Sequence, residues 1–386
     1  MVDGSSESVK QRIRVGVLFG GRSCEHEVSL QSAKAIIDAL DRERYEVVPI
    51  GVTKQGQWVR LPASAIESGF SLEDFCDDRV ALLPTPNGRS LVAAGESANK
   101  PDTDSVGEQI DVIFPIIHGP MGEDGTVQGL FELAGVPYVG AGVLGSAVGM
   151  DKAVMKVLFQ SQGLPVAEYC VVMRAHWTAD PASVLRDTEA QFKYPWFVKP
   201  ANMGSSVGVS KVHDATEFAN AMSLAARFDR KIVIERAIEN AREIEVAVLG
   251  NDDPQASVAG EILPSNEFYD YSAKYIDGRS GLAIPAELPE PTIARLRMLA
   301  VQAFKAIDCC GMARVDFLVQ DNGAQIYLLE ANTLPGFTPI SMYPKLWEAS
   351  GVSYPDLVQR LIELALERHE DRAQNATSLA ELEGAR

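Results

Sequence analysis

Short apolar, β-branched runs alternate along this chain with stretches whose apolar residues recur at helical spacing. Residues 13–19 form such a run and end at Gly20-Gly21, residues 28–40 carry helical periodicity, and residues 46–52 form the next run. Strand, glycine turn, helix and strand in that order predict a βαβ unit, and the alternation beyond it predicts an α/β class with α+β elements. Gly20-Gly21 lacks the third glycine of a dinucleotide fingerprint. Residues 62–109 mix proline, glycine and acidic residues, which predicts irregular excursions with a short strand or two. Residues 111–117 then make a strongly apolar strand that ends in His118-Gly119-Pro120-Met121-Gly122-Glu123-Asp124-Gly125. A polar loop at the carboxyl end of such a strand is where open α/β sheets bind ligands. A helix over 126–134 and a short strand at 138–139 follow.

Residues 140–149 contain four glycines and read as a domain connection. Asp151 can cap a helix over 152–162, which Gly163 and Pro165 stop. Strands are predicted at 166–172, 196–200, 209–212 and 231–235. Asp214 and Glu217 have capping-box spacing for a helix that runs to 226. Further strands are predicted at 243–249 and 256–262, with a helix at 289–307 and an amphipathic one at 355–369. Residues 264–285 make a long loop, and loops of that length inside compact domains are usually functional.

One hairpin concentrates chemistry. In residues 311–332, two apolar runs flank the turn signal Asp321-Asn322-Gly323. Arg314 and Asp316 stand two apart on the first run, Glu330 and Asn332 on the second, so each pair shares a face of its strand. Val315, Phe317, Leu328 and Leu329 mark the strands as buried, and buried carboxylates need partners. The bland reading is a solvated polar face. The chemical reading is three oxygen ligands for Mg²⁺ beside phosphates, with an arginine for developing negative charge. A two-residue Asn322-Gly323 loop would pair Asp316 with Leu329 and put Asp316 and Glu330 on opposite faces. A shared ion therefore predicts an odd-numbered loop, of three residues with a bulge.

Composition narrows the field. A chain of 386 residues suits two or three domains, and a net charge of −18 argues against a nucleic-acid partner or an anionic membrane surface. The five cysteines lack metal-ligand spacing, no apolar run reaches membrane-spanning length, and the expected compartment is a reducing cytoplasm. The remaining candidates are weak singly. Phe197-Val198-Lys199-Pro200 before Gly204-Ser205-Ser206-Val207-Gly208 is a strand and a glycine loop able to cradle phosphates, although it is not a Walker A loop. Lys152 opposes the dipole of its helix. Glu235-Arg236-Ala237-Ile238 reads equally as an adenine hinge or a strand end. His118 reads by default as a structural imidazole, Glu25 as an ordinary dipole partner, and Lys274 and Tyr275 as exposed loop residues.

Taken in order, these segments resemble the ATP-grasp superfamily and, within it, the D-alanine–D-alanine ligase family. The blocks are Gly-Gly-Arg-Ser-Cys-Glu-His-Glu-Val-Ser at 20–29, His-Gly-Pro-Met-Gly-Glu-Asp-Gly at 118–125, Met-Asp-Lys at 150–152 and Val-Lys-Pro at 198–200. Gly-Ser-Ser-Val-Gly at 204–208, Phe-Tyr-Asp-Tyr-Ser-Ala-Lys-Tyr at 268–275, Arg-Val-Asp at 314–316 and Leu-Leu-Glu-Ala-Asn-Thr-Leu-Pro-Gly-Phe-Thr at 328–338 complete them. The resemblance implies a three-domain ATP-grasp fold: a Rossmann-like domain over 1–140, a central subdomain with the glycine loop over 141–238, and a C-terminal subdomain with metal site and lid over 239–386. It implies that Lys152, Lys199 and Lys274 contact ATP phosphates, that Glu235, Arg236 and Ile238 frame adenine, and that Glu243 meets the ribose. Asp316, Glu330 and Asn332 would hold two Mg²⁺ or Mn²⁺ ions, with room for a monovalent cation. Glu25, His118, Ser341 and Met342 would border the amino-acid sites. Glu25, Ser205 and Tyr275 would form a hydrogen-bonded triad, and Arg314 with the Gly336 N–H an oxyanion hole. Met342 stands where many relatives have leucine, and Arg236 where some have lysine. The implied reaction phosphorylates one D-alanine with ATP and lets a second D-alanine amine displace the phosphate, in a homodimeric enzyme. The rivals are a ligase of the same fold that uses D-lactate or D-serine, against which Tyr275 argues in the D-lactate case, and a non-catalytic ATP-binding scaffold.

Overall fold

A computed structural model describes residues 12–62, 65, 71–85, 90–94, 108–263 and 281–376. The first segment gives β1 (Ile13–Gly20), α1 (His26–Ala39), β2 (Tyr45–Val52), β3 (Trp58–Arg60), β4 (Val80–Leu82), β5 (Ser90–Ala93), β6 (Glu108–Gln109), β7 (Val112–Ile116) and α2 (Thr126–Ala134). The order β3-β2-β1-β7 forms one sheet, with β1 parallel to both β2 and β7, as the βαβ reading requires. β1 is buried on both faces, which is why it reads as an unbroken apolar run. Among the described residues of 62–109, β4, β5 and β6 pair into a small sheet of their own, one strand more than the composition predicts.

The expected connection over 140–149 is instead α3 (Val143–Met150), followed by α4 (Lys152–Ser161). Its glycines serve packing. A Cβ at Gly145 would lie 2.7 Å from Asp308 O, and one at Gly149 would lie 2.6 Å from Thr333 Cγ2, so the helix can press against both segments only if those positions are bare. Asp151 caps α4 as predicted, accepting from Ala153 N and Val154 N, each at 3.1 Å.

Next come β8 (Tyr169–Met173), α5 (Arg174–Ala179), α6 (Pro181–Gln191), β9 (Trp196–Pro200), β10 (Ser210–Val212), α7 (Ala215–Phe228) and β11 (Lys231–Arg236). The strands form an antiparallel sheet in the order β10-β9-β11-β8, packed on Phe218 and Met222 of α7. Asp214 caps α7 through Thr216 N at 2.8 Å, but Glu217 reaches back to His213 N rather than to the cap residue.

The last segment contains β12 (Arg242–Gly250), β13 (Gln255–Leu263), β14 (Gly281–Ala283), α8 (Glu290–Ala306), β15 (Gly311–Gln320), β16 (Gln325–Asn332), α9 (Met342–Ala349) and α10 (Tyr354–Arg372). Its sheet runs β14-β13-β12-β15-β16. One face, with Ile244, Val246, Val315 and Phe317, packs on Leu296 and Phe304 of α8. The opposite face is apolar at one end, where Ala247 and Leu249 join a core shared with β1, β7, α9 and α10. In that core Phe114 of β7 meets Phe337 edge-on, with centroids 5.9 Å apart. The other end of the face is polar and faces α4 and the central sheet.

The hairpin corrects the predicted loop. Gln320 pairs with Gln325, which leaves the four residues 321–324 as the connection, not three. Asp321, Asn322 and Gly323 all take positive φ there. This even register continues to Phe317↔Leu328, and then Leu329 bulges out and Asp316 pairs with Glu330. Ile326, Leu328 and Ala331 therefore share the α8 face, while Glu330 and Asn332 turn to the opposite one. The two carboxylates share a face as predicted, but the bulge in β16 sets the parity and the turn does not.

Candidate active site

The polar end of the C-terminal sheet is assembled by register. Glu245 of β12 pairs with Asp316 of β15, Asp316 with Glu330, and Arg314 with Asn332. Arg314 donates from Nε to Asp316 Oδ1 at 2.8 Å and from Nη2 to Oδ2 at 2.7 Å, and its Nε lies 3.0 Å from Glu245 Oε2. Asn332 Nδ2 donates to Asp316 Oδ2 at 2.9 Å. Burial works against the guanidinium charge, but Asp316, Glu245 and Glu330 hold Arg314 well above its ordinary range. Arg314 is thus bound to a carboxylate of its own strand as well as positioned beside the site. Among the described residues no trio of His, Cys, Asp and Glu stands in metal-binding geometry. The convergent oxygen set is two carboxylates and an amide, which matches the hard-ligand chemistry of Mg²⁺ or Mn²⁺.

The central sheet supplies the facing wall. Glu235 is buried, with Lys156 Nζ at 2.6 Å from Oε1 and Lys199 Nζ at 2.7 Å from Oε2. Burial alone would raise this carboxyl, but the two ammonium groups pull it down to about 2. Lys199, expected at phosphates, is here a partner of Glu235. Arg236, the next residue on β11, pairs its Nε with Glu168 at 2.8 Å and lies over the Tyr327 ring, so its guanidinium does not join Glu235. Ile238 is buried just past the strand, and Glu243 stands on β12 two residues before Glu245, on the same face. Lys152, at the start of α4, donates to Met203 O at 2.8 Å and lies 3.3 Å from Glu330 Oε2. It therefore links the glycine loop to the carboxylate strand.

At the N-terminal side, the Ser205 hydroxyl donates to Glu25 Oε1, which joins the glycine loop to the loop after β1. Ser205 holds a positive φ of 49°. His118 is buried, with Nδ1 3.3 Å from Glu123 Oε1. Burial disfavours the His118 cation, but Glu123 and Glu25 outweigh it and raise its pKa. Ser341 accepts from Thr338 N at 3.1 Å, and a Cβ at Gly336 would stand 3.0 Å from the Ser341 hydroxyl. Met342 is buried in the core at the start of α9, directly after Ser341 at the N-cap. Lys274 and Tyr275 lie outside the described residues, so the third member of the expected triad is not seen with Glu25 and Ser205.

Three groups escaped the sequence reading: Lys156, Glu245 and Glu123. Lys156 follows Lys152 by four positions, which puts both on one face of α4. Glu245 follows Glu243 by two. Glu123 lies inside the polar loop that begins at His118. Among the described residues no helix is long and apolar enough to cross a membrane.

Family comparison gives these positions a common setting. The model described as "D-ala D-ala ligase N-terminus" matches residues 14–141, and "D-ala D-ala ligase C-terminus" matches residues 158–363. The chain is 51% identical over 367 residues to a D-alanine–D-alanine ligase of Acetivibrio thermocellus, a match that covers 93% of this chain and 97% of that one. A solved D-alanine–D-alanine ligase from Coxiella burnetii superposes with a TM-score of 0.81 at 35% identity, covering 94% of this chain and 96% of its own. The VanG D-Ala:D-Ser ligase from Enterococcus faecalis also gives 0.81, at 33% identity, covering 92% and 100%. With its mixed α/β architecture that of the ATP-grasp fold, the chain belongs to the D-alanine–D-alanine ligase family.

Proposed function

We propose that this protein joins two D-alanine molecules into D-alanyl-D-alanine with cleavage of ATP to ADP and phosphate, for peptidoglycan precursor synthesis in the cytoplasm. The observation that carries this reading is the meeting of Arg314, Asp316, Glu330 and Asn332 on one sheet face, opposite Lys152 and the Glu235–Lys199 pair. ATP would lie between the two sheets. Glu235 and the main chain of 236–238 would receive adenine, Glu243 the ribose, and Lys152, Lys199 and Lys274 the phosphates. Asp316, Glu330 and Asn332 would hold the metal ions, which when bound neutralise phosphate oxygens.

The residues of the chain then divide the work. The first D-alanine carboxylate attacks the γ-phosphorus and ADP leaves, which gives an acyl phosphate; the second D-alanine amine then adds to its carbonyl carbon, loses a proton to the medium and expels phosphate, which leaves the amide. Arg314, with the Gly336 N–H, faces the carbonyl oxygen that gains charge when the second amine attacks, a contribution of roughly 3–4 kcal/mol per donor. For Arg314 to do this its grip on Asp316 must loosen, and Glu245 remains as its partner. Glu25 and Ser205, with Tyr275, would orient the substrate amines beside His118. Ser341 and the first N–H groups of α9 offer a carboxylate site at a helix N-terminus. A homodimer is the assembly we assign.

Phosphate release from ATP tests this reading with D-alanine, L-alanine, D-serine and D-lactate in parallel. D-alanine alone is expected to support turnover, with D-alanyl-D-alanine as product. Turnover that ignores D-alanine, or a mixed product formed in preference, overturns it. Glu330→Gln is expected to lower kcat at least roughly a hundredfold, and wild-type activity in that variant would remove the metal role.

A further inference from the structure

α4 carries a second lysine one turn beyond Lys152, set deeper in the protein. Lys156 is 1% exposed. Its Nζ donates to Glu235 Oε1 at 2.6 Å, lies 3.4 Å from Leu329 O, and stands 5.8 Å from the centre of the Tyr169 ring. A buried ammonium is costly unless it is paired, and this one is enclosed too fully to reach a phosphate in the cleft. It is nevertheless bonded to the residue assigned above to adenine. The lysine on the other oxygen of Glu235 differs. Lys199 is more open, with a side chain 12% exposed, and it sits on the strand that leads into the glycine loop.

One carboxylate between two ammonium groups leaves the cluster net positive. That suits a polyanionic ligand, and it lets one ammonium leave without stranding a buried carboxylate. Each carboxylate oxygen also keeps a second lone pair for a further donor. We infer that Lys156 is a positioning residue of the nucleotide site: it holds Glu235 as a fixed anion for the adenine amino group, and so releases Lys199 to move onto a phosphate. The inference rests on the adenine reading of residues 235–238. The contact to Leu329 O adds a second consequence, because the same ammonium ties the hinge to the strand that carries Glu330.

Steady-state kinetics of Lys156→Met, Lys156→Arg and Glu235→Gln with ATP and with GTP, whose 6-oxo group cannot donate to Glu235, test the assignment. Lys156→Met is expected to raise KM for ATP by about tenfold or more. It should reduce the preference for ATP over GTP by a similar factor, and leave KM for D-alanine within about twofold. Lys156→Arg, which keeps the cation, is expected to retain the preference. A Lys156→Met enzyme with unchanged KM for ATP and unchanged preference, its losses confined to folded fraction, overturns the inference. Glu235→Gln separates the two levels. If that variant keeps the ATP preference, the adenine reading itself fails; if it loses the preference while Lys156→Met does not, only the role of Lys156 fails. Should the methionine variant not accumulate, direct binding of ATP and GTP to folded Lys156→Gln decides the same question.

Discussion

Removing the Glu235 carboxylate strands two ammonium groups, one of them inside the protein. Breaking a buried pair in this way costs about 3–5 kcal/mol, so Glu235→Gln is expected to be clearly less stable than the parent at neutral pH. The sign with pH follows from the depressed pKa, about 2 against an ordinary 4.5. A carboxyl whose folded pKa lies below its unfolded one stabilises fully above the unfolded value and loses that contribution as pH falls through the folded one. The gap in unfolding free energy between parent and variant should therefore narrow below about pH 4.5 and be gone near pH 2. Denaturant titrations at pH 7, 5 and 4 measure it, and a gap that widens on acidification would contradict the pairing. Most residues of the candidate site were open to a sequence reading because they sit in short, ordered blocks. Lys156 was not, since a lysine in the middle of a helix looks solvated until Glu235 is known to lie beneath it. The bond from Arg314 to Asp316 was not legible either, because a strand sequence does not say that an arginine will fold back onto the aspartate two residues away.

The hairpin shows what an element encodes and what it hides. Its two strands and its Asp321-Asn322-Gly323 turn are written in the residues, since left-handed backbone there calls for Asp, Asn and Gly. The face on which Glu330 lands is not, because a bulge needs only one extra residue and Leu-Leu at 328–329 gives no sign of which leucine is extra. Deleting Leu329 should remove the bulge and leave Phe317↔Leu328 and Asp316↔Glu330 in one unbroken register, so Glu330 stays on the face of Asp316 and turnover is expected to survive. A folded deletion variant without activity would show that the site needs the local geometry of the bulge and not only the face on which Glu330 lands. The segment at 140–149 gives the converse lesson: four glycines looked like a linker, but Gly145 and Gly149 mark where α3 touches its neighbours.

A core that runs from β1 and β7 to α9 and α10 joins the N-terminal sheet to the C-terminal one. Arg368 of α10 adds a latch, donating to Tyr138 O at 2.9 Å and to Gly140 O, with its guanidinium 4.4 Å from the Tyr138 ring centre. Arg368→Ala is expected to cost about 1–3 kcal/mol and to lower Tm by several degrees with KM for ATP unchanged; an unaltered Tm would show that the latch is idle. The contact between Ser205 and Glu25 spans 180 positions, and the hairpin that completes the site comes later still. Synthesis runs from the N-terminus, and domains fold largely in that order. A nascent chain thus builds its substrate loop and hinge well before it owns Asp316 and Glu330. In the proposed reaction no unfinished chain on the ribosome can cleave ATP, and the catalytic capacity of each molecule is gained in a single late step.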